Sequence, residues 1–259
     1  MPEHTPPADA VLVDDFTGPS LDPDRWIDQY FPHWTTPDRS AARYAFVPDG
    51  LRLRIDHDQP AWRVEDGPMR ASGVQTGSFA GPVGSTRGQQ RHRTDGLVVR
   101  TAVPTRRLWT PSSGRVEVTA AASPDPTCML GIWLVGVEDG APEDAGEILL
   151  AELYGDLIGA ERSTVRLGVK AHHDPRLTTD VTDHDLPIDA TTPHRYGAEW
   201  DRSGVRILVD GALIRSFDQV LAYPQQLMIA LFEFPTDGDR DPADYPKTAD
   251  VLRVSASGR

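Results

Sequence analysis

Val205-Arg-Ile-Leu-Val-Asp210-Gly211-Ala-Leu-Ile214 sets two apolar, β-branched runs on either side of an Asp-Gly pair. That dipeptide supplies the positive φ angles a two-residue hairpin needs, so the stretch predicts two antiparallel strands. The same period recurs outward from it. Leu51-Arg-Leu-Arg-Ile55 alternates after the turn signal Pro48-Asp49-Gly50, and Arg115-Val-Glu-Val-Thr119 and Val165-Arg-Leu-Gly-Val169 alternate again. A last strand is expected at Asp250–Val254. Met129–Val137 and Leu227–Phe234 are apolar almost throughout, which fits strands covered on both faces. Helical spacing is absent apart from one turn near Leu21–Trp26. The prediction is an all-β protein, a β-sandwich or jelly roll of two curved antiparallel sheets with a concave groove. It is expected as a single domain over residues 1–259 with a flexible stretch at 1–10. Residues 56–110, with five glycines between Gly77 and Gly96, read as long loops of functional type.

Composition narrows the partners. The 259 residues carry a formal charge of −13, the opposite of the basic stripe that displaces counterions from nucleic acid. The same balance argues against an anionic membrane surface, and no apolar run approaches the roughly 18 residues of a span. The expectation is a monomer with no nucleic-acid or membrane partner. No signal peptide is visible in Met1–Phe16, so the cytoplasm is expected unless a leader has been removed. Cys128, the one cysteine, can form no internal disulfide and reads as a core residue. No Cys/His spacing suggests a metal, and no cofactor is required.

Chemistry concentrates in Gly146-Glu-Ile-Leu-Leu-Ala-Glu-Leu-Tyr-Gly155. In a regular strand Glu147 and Glu152 point to opposite faces. One bulge at Leu150 or Ala151 returns both to one face. Their carboxyls would then lie roughly 5–6 Å apart, the separation a double-displacement glycosidase needs. The competing reading is a solvent-facing acid beside a strand-end acid.

Several further stretches carry a resemblance. Asp14–Trp26 reads as an opening strand and turn, Ser113-Gly-Arg-Val-Glu117 is similar to a "YGRxE" strand, and Leu130–Gly136 to a "PAFWLLG" strand. His194-Arg-Tyr-Gly-Ala-Glu-Trp200 with Val209-Asp-Gly211 resembles an "HxYxxEW…VDG" hairpin. Taken in order, these resemble glycoside hydrolase family 16, the laminarinase and agarase group with a concanavalin-like jelly roll. The resemblance implies that Glu147 is a nucleophile and Glu152 an acid/base within an E-x-D-x-x-E strand. Leu149 stands where that motif has its aspartate, Ser113 replaces the motif tyrosine and Thr119 an arginine, so ordinary β-glucan specificity is not implied. The family's structural calcium, placed away from the groove, would draw on Asp14, Asp15 and Asp250.

The remaining candidates follow from what sugar rings need. Flat aromatic faces stack on them, which singles out Trp133, Trp109 and Trp34, with core packing an equal reading for Trp133. Tyr154 offers a hydroxyl just past Glu152. Gln75, Arg91 and His92 cluster hydrogen-bonding and cationic groups in an acidic chain, against the plainer reading of a solvated loop. His172, or Lys170 beside it, follows a strand that the resemblance sets next to the acids. Glu233 is an acid in an apolar strand, facing the groove or pairing with an arginine. Three functions stand: a retaining glycoside hydrolase on a β-linked glycan, a non-catalytic carbohydrate-binding jelly roll, and a lyase or transferase on a modified sugar.

Overall fold

The computed structural model describes residues 10–234 and 240–259. Sixteen strands run in chain order: β1 (Ala10–Asp14), β2 (Arg43–Val47), β3 (Gly50–Ile55), β4 (Arg70–Gln75), β5 (Gly77–Ser78), β6 (Arg106–Arg107), β7 (Gly114–Ala121), β8 (Cys128–Gly136), β9 (Glu147–Tyr154), β10 (Ser163–Lys170), β11 (Asp180–Leu186), β12 (His194–Asp201), β13 (Gly204–Val209), β14 (Ala212–Phe217), β15 (Gln225–Glu233) and β16 (Lys247–Gly258). The first sheet has the order β14-β13-β12-β7-β16-β3-β2, with β1 also paired to β16, and the second β11-β10-β9-β8-β15-β4. All pairings within them are antiparallel, giving the jelly-roll sandwich.

Alternation decides what lies between the sheets. In β7 Val116, Val118 and Ala120 point inward while Arg115, Glu117 and Thr119 look out, and in β3 Leu51, Leu53 and Ile55 are sealed. These side chains meet Leu130, Ile132, Ile148, Leu150 and Ile229 of the second sheet in the main core. The hairpin at Asp210-Gly211 forms as expected, with φ of 50° and 82°.

The two apolar runs become β8 and β15, buried from end to end. One face of each enters the main core. The other lies under a second cluster, in which Phe31, Trp34, Trp62, Leu97 and Val99 settle on Ala71, Met129, Val135, Met228, Ala230 and Phe232. Loops at 28–36, 61–69 and 79–101 therefore form a cap on the outer face of the second sheet.

One reading needs correction. The stretch 56–110 is not wholly loop: it contains β4, whose residues Arg70-Ala-Ser-Gly-Val-Gln75 lack alternation because both faces are covered. The acidic run from Asp180 to Leu186 forms edge strand β11; Asp183 pairs with Arg166 and Asp180 with Arg215. Residues 21–26 form a single turn closed by the Trp26 amide on the Asp22 carbonyl, 2.9 Å away. Of the expected flexible N-terminus, residues 1–9 lie outside the described residues, and Ala10 already pairs with Gly258.

Candidate active site

Strand β9 carries the two acids, and its register explains how. Val135 lies opposite Glu147, Trp133 opposite Leu149, Ile132 opposite Ala151 and Gly131 opposite Glu152. Leu150 is thus an extra residue, a bulge whose side chain turns into the main core. The irregularity recurs against β10, where Arg166 faces Glu152 and Gly168 faces Leu149. Both glutamates now look out of the sheet on one face.

Lys170, directly across from Glu147 on β10, spans the pair. Its Nζ sits 3.2 Å from Glu147 Oε1 and 2.8 Å from Glu152 Oε1, so those two oxygens are no more than about 6 Å apart, within reach of the separation used in double displacement. His172 Nε2 lies 2.9 Å from Glu147 Oε2. The Trp133 indole N–H and the Tyr154 hydroxyl each donate to Glu152 at 3.3 Å. Burial opposes charge on Glu147, but the hydrogen bond to His172 and the Lys170 ammonium outweigh it and hold that carboxyl below the ordinary range. Burial likewise opposes the ammonium of Lys170, and the two carboxylates more than compensate, pushing it up to about 12. Burial, reinforced by both glutamates, raises the Tyr30 phenol above its usual value, so it is a neutral hydroxyl at any working pH.

The acids open into a cavity of about 350 Å³. Its walls are largely apolar, with Tyr30, Trp62, Trp133, Met129, Met228 and Phe232 prominent, and Asp66, Gln90 and His92 adding polar groups. Leu149 belongs to the apolar floor on the acids' side of the sheet. The charged group nearest both acids comes from across the ladder, in Lys170.

The other sequence candidates divide sharply. Trp133, Tyr154, His172 and His92 line the cavity. Trp109 does not: it is buried between the sheets against Trp200, ring centroids 6.2 Å apart. Trp34 is fully buried in the cap, its indole donating to the Gln89 carbonyl, so it too offers no stacking face. Gln75 is buried beneath the cap at the end of β4 and is not part of the cavity wall. Arg91 lies outside the cavity, lining a neighbouring depression with Glu138 and His173. Glu233 points away from the acids and is held by Arg70, Arg240 and the Tyr245 hydroxyl. For the calcium proposal, Asp250 is engaged bidentately by Arg52, and Asp14 by the Phe16 amide and Trp26 indole. Among the described residues no three metal-ligating side chains of the His, Cys, Asp or Glu type converge. That donor arrangement does not fit a calcium ion at these aspartates.

Sequence reading missed Tyr30, Trp62, Asp66 and Gln90 as cavity residues. Trp62 and Trp34 sit in similar polar surroundings in the chain, and only the packing of the cap separates wall from filler.

No protein-family model matches the chain, and no curated protein does. Solved structures do. The GlcNAcα1-4Gal releasing endo-β-galactosidase from Clostridium perfringens superposes with a TM-score of 0.78 at 21% identity, covering 96% of this chain and 62% of that one. This chain therefore spans less than two thirds of that protein. The laminarinase catalytic domain from Thermotoga maritima gives 0.63 at 13% identity, covering 96% and 97% of the two chains. A non-specific endo-β-1,3(4)-glucanase from family 16 gives 0.65 at 16% identity, covering 100% and 98%. What these proteins share with the chain is the fold, that of glycoside hydrolase family 16. No helix among the described residues is long and apolar enough to cross a membrane.

Proposed function

We propose that a chain with this fold and this pair of acids is a retaining glycoside hydrolase acting on a β-linked glycan. The supporting observation is the bulge at Leu150, which sets Glu147 and Glu152 side by side at one cavity. Glu147 Oε2 is held by His172 at 2.9 Å and Oε1 is paired with the Lys170 ammonium at 3.2 Å, so the carboxylate is kept charged for attack. In the first step a Glu147 carboxylate oxygen bonds to the anomeric carbon as the glycosidic C–O bond breaks, and protonated Glu152 gives its proton to the leaving oxygen. In the second, Glu152 takes a proton from water as that water displaces Glu147 from the sugar. Lys170 compensates charge on whichever carboxylate is ionised, and the neutral Tyr30 and Trp133 edges border the ring.

Among the structural neighbours is the Crh5 transglycosylase, with a TM-score of 0.60. Transfer to a sugar hydroxyl shares the first step and differs only in the acceptor of the second. A binding-only role draws on one feature, Leu149 in place of a polar motif residue.

One experiment separates these readings. The protein is incubated with aryl β-glycosides and their 2-deoxy-2-fluoro analogues, and peptides are mapped by mass. The expected result is a glycosyl label on Glu147, together with turnover that falls at least about 10³-fold in Glu147→Gln and is restored in Glu147→Gly by azide, as a glycosyl azide of inverted configuration. Activity retained in Glu147→Gln would refute the assignment. Undiminished glycan affinity with no turnover in the parent would leave the binding role.

A further inference from the structure

We propose that the cleft is blind and that the protein releases a short glycone from the non-reducing end of its glycan, the remainder of the chain leaving over β10 and β11. This rests on the glycosidase reading and adds to it the place of attack.

The outer face of the second sheet is divided at β9. Toward β8 and β15 it carries the cavity, and beside the cavity the cap packs onto the sheet, with Trp34, Leu97 and Val99 each at most 1% exposed. The cap is stitched down rather than laid on. Trp34 Nε1 donates to Gln89 O at 2.7 Å and Arg63 to Trp34 O at 2.6 Å. The Gln90 amide donates to Glu138 at 2.6 Å and its side chain to Ala145 O at 3.1 Å. Farther along the same segment His92 meets Asp66 at 2.9 Å. Trp62, edge-on to Tyr30 at 5.2 Å and donating to its carbonyl, forms the end wall. Among the described residues nothing is left of a trough beyond that wall.

The other side is different. Past Glu152, strands β10 and β11 carry a depression of about 590 Å³, bordered by Arg166, Thr179, Val181 and Asp183, that opens widely to solvent.

The two acids give the direction of the substrate. Glu147 borders only the cavity that ends at Trp62, whereas Glu152 borders both that cavity and the more open depression. The attacked anomeric carbon must sit at the nucleophile, so the glycone occupies the closed side. The oxygen that is protonated sits at the boundary, so the leaving chain occupies the open side. A cavity of about 350 Å³ lies at the small end of ligand pockets, roughly 300–1,000 Å³, and takes one or two sugar rings. A glycan that continued past them would run into Trp62.

The test uses β-1,3- and β-1,4-linked gluco- and galacto-oligosaccharides of two to six units carrying a fluorophore at the reducing end. At early times the expected products are one short unlabelled sugar of fixed size and a labelled remainder shortened by that amount. A ladder of labelled products from internal cuts would overturn the proposal. Binding gives a readout free of turnover. In Glu152→Gln, a bulky ether on the non-reducing terminal unit should weaken affinity at least tenfold, while the reducing-end fluorophore leaves it unchanged. Equal affinity with and without the ether would overturn the blind cleft even if hydrolysis is observed. Neither binding nor cleavage of any probe refutes the glycosidase reading itself, and this inference with it.

Discussion

Lys170 carries the electrostatics of the site, being the cation that faces both acids. Glu147 has a carboxyl held below its unfolded range, so its charged form adds stability at neutral pH, and that contribution fades as pH falls through the folded value. As the proposed nucleophile, Glu147 would act in the same ionised form. Lys170→Met removes the charge while keeping most of the stem. The acidic limb of kcat/KM is then expected to move to higher pH by roughly one unit or more, since burial is left less opposed. A pH–rate profile of the variant checks this, and an unmoved limb would mean that His172 alone keeps Glu147 charged. Sequence gave access to this site unevenly. Glu147 and Glu152 stand out because a charge inside an apolar run has a burial cost that needs a reason. Lys170 enters only as an alternative to His172, because its partnership with both acids exists only through the register of β10 on β9.

At the scale of the strand, the useful feature is irregularity. The five-residue spacing of the acids required one extra residue, and the structure places it at Leu150. Two glycines serve the same region. Gly131 lies under Trp133, and a methyl added there would come within 2.0 Å of the indole. Gly131→Ala must therefore displace the ring that donates to Glu152. The expected result is a loss of kcat of about tenfold or more, with a stability cost of about 1–3 kcal/mol, read by steady-state kinetics and urea titration. Gly168, opposite Leu149 with φ of 155°, would bring a methyl within 2.2 Å of the Asp180 carbonyl. Gly168→Ala is expected to cost about 1–3 kcal/mol by straining the β10–β11 ladder, seen as a lower urea midpoint. Strands with alternating side chains were readable in advance. Strands β4 and β11 were not, since one is covered on both faces and the other is almost all polar at a sheet edge.

On the scale of the molecule, the cap is the feature no local pattern announces. Its contacts join segments dozens of residues apart, such as His33 with Gln89, and loop residues carry no period from which to infer them. Two buried titratable groups tie it to pH. Burial raises Glu138 to about 8, although the Gln90 amide opposes the shift, and burial lowers His33 to about 4. Glu138 thus stabilises the fold in its neutral form, fully below its unfolded value near 4.5, and this is lost as pH rises through about 8. His33 is the converse, weakening the fold as pH falls below 6.5 toward about 4. Glu138→Gln retains an acceptor for the Gln90 amide and abolishes the titration. Its melting temperature at about pH 9 is expected to exceed the parent's by about 5 °C, with the difference shrinking under acid conditions. Equal melting curves at alkaline pH would show that Glu138 ionises without cost. The two apolar clusters also differ in how they are tethered. One is enclosed between two sheets, the other between a sheet and the loops of the cap, so mild heating should loosen the latter first. A warmed sample will then keep its far-ultraviolet strand signature after its chemistry has gone, and spectroscopic integrity will be a poor guide to shelf life.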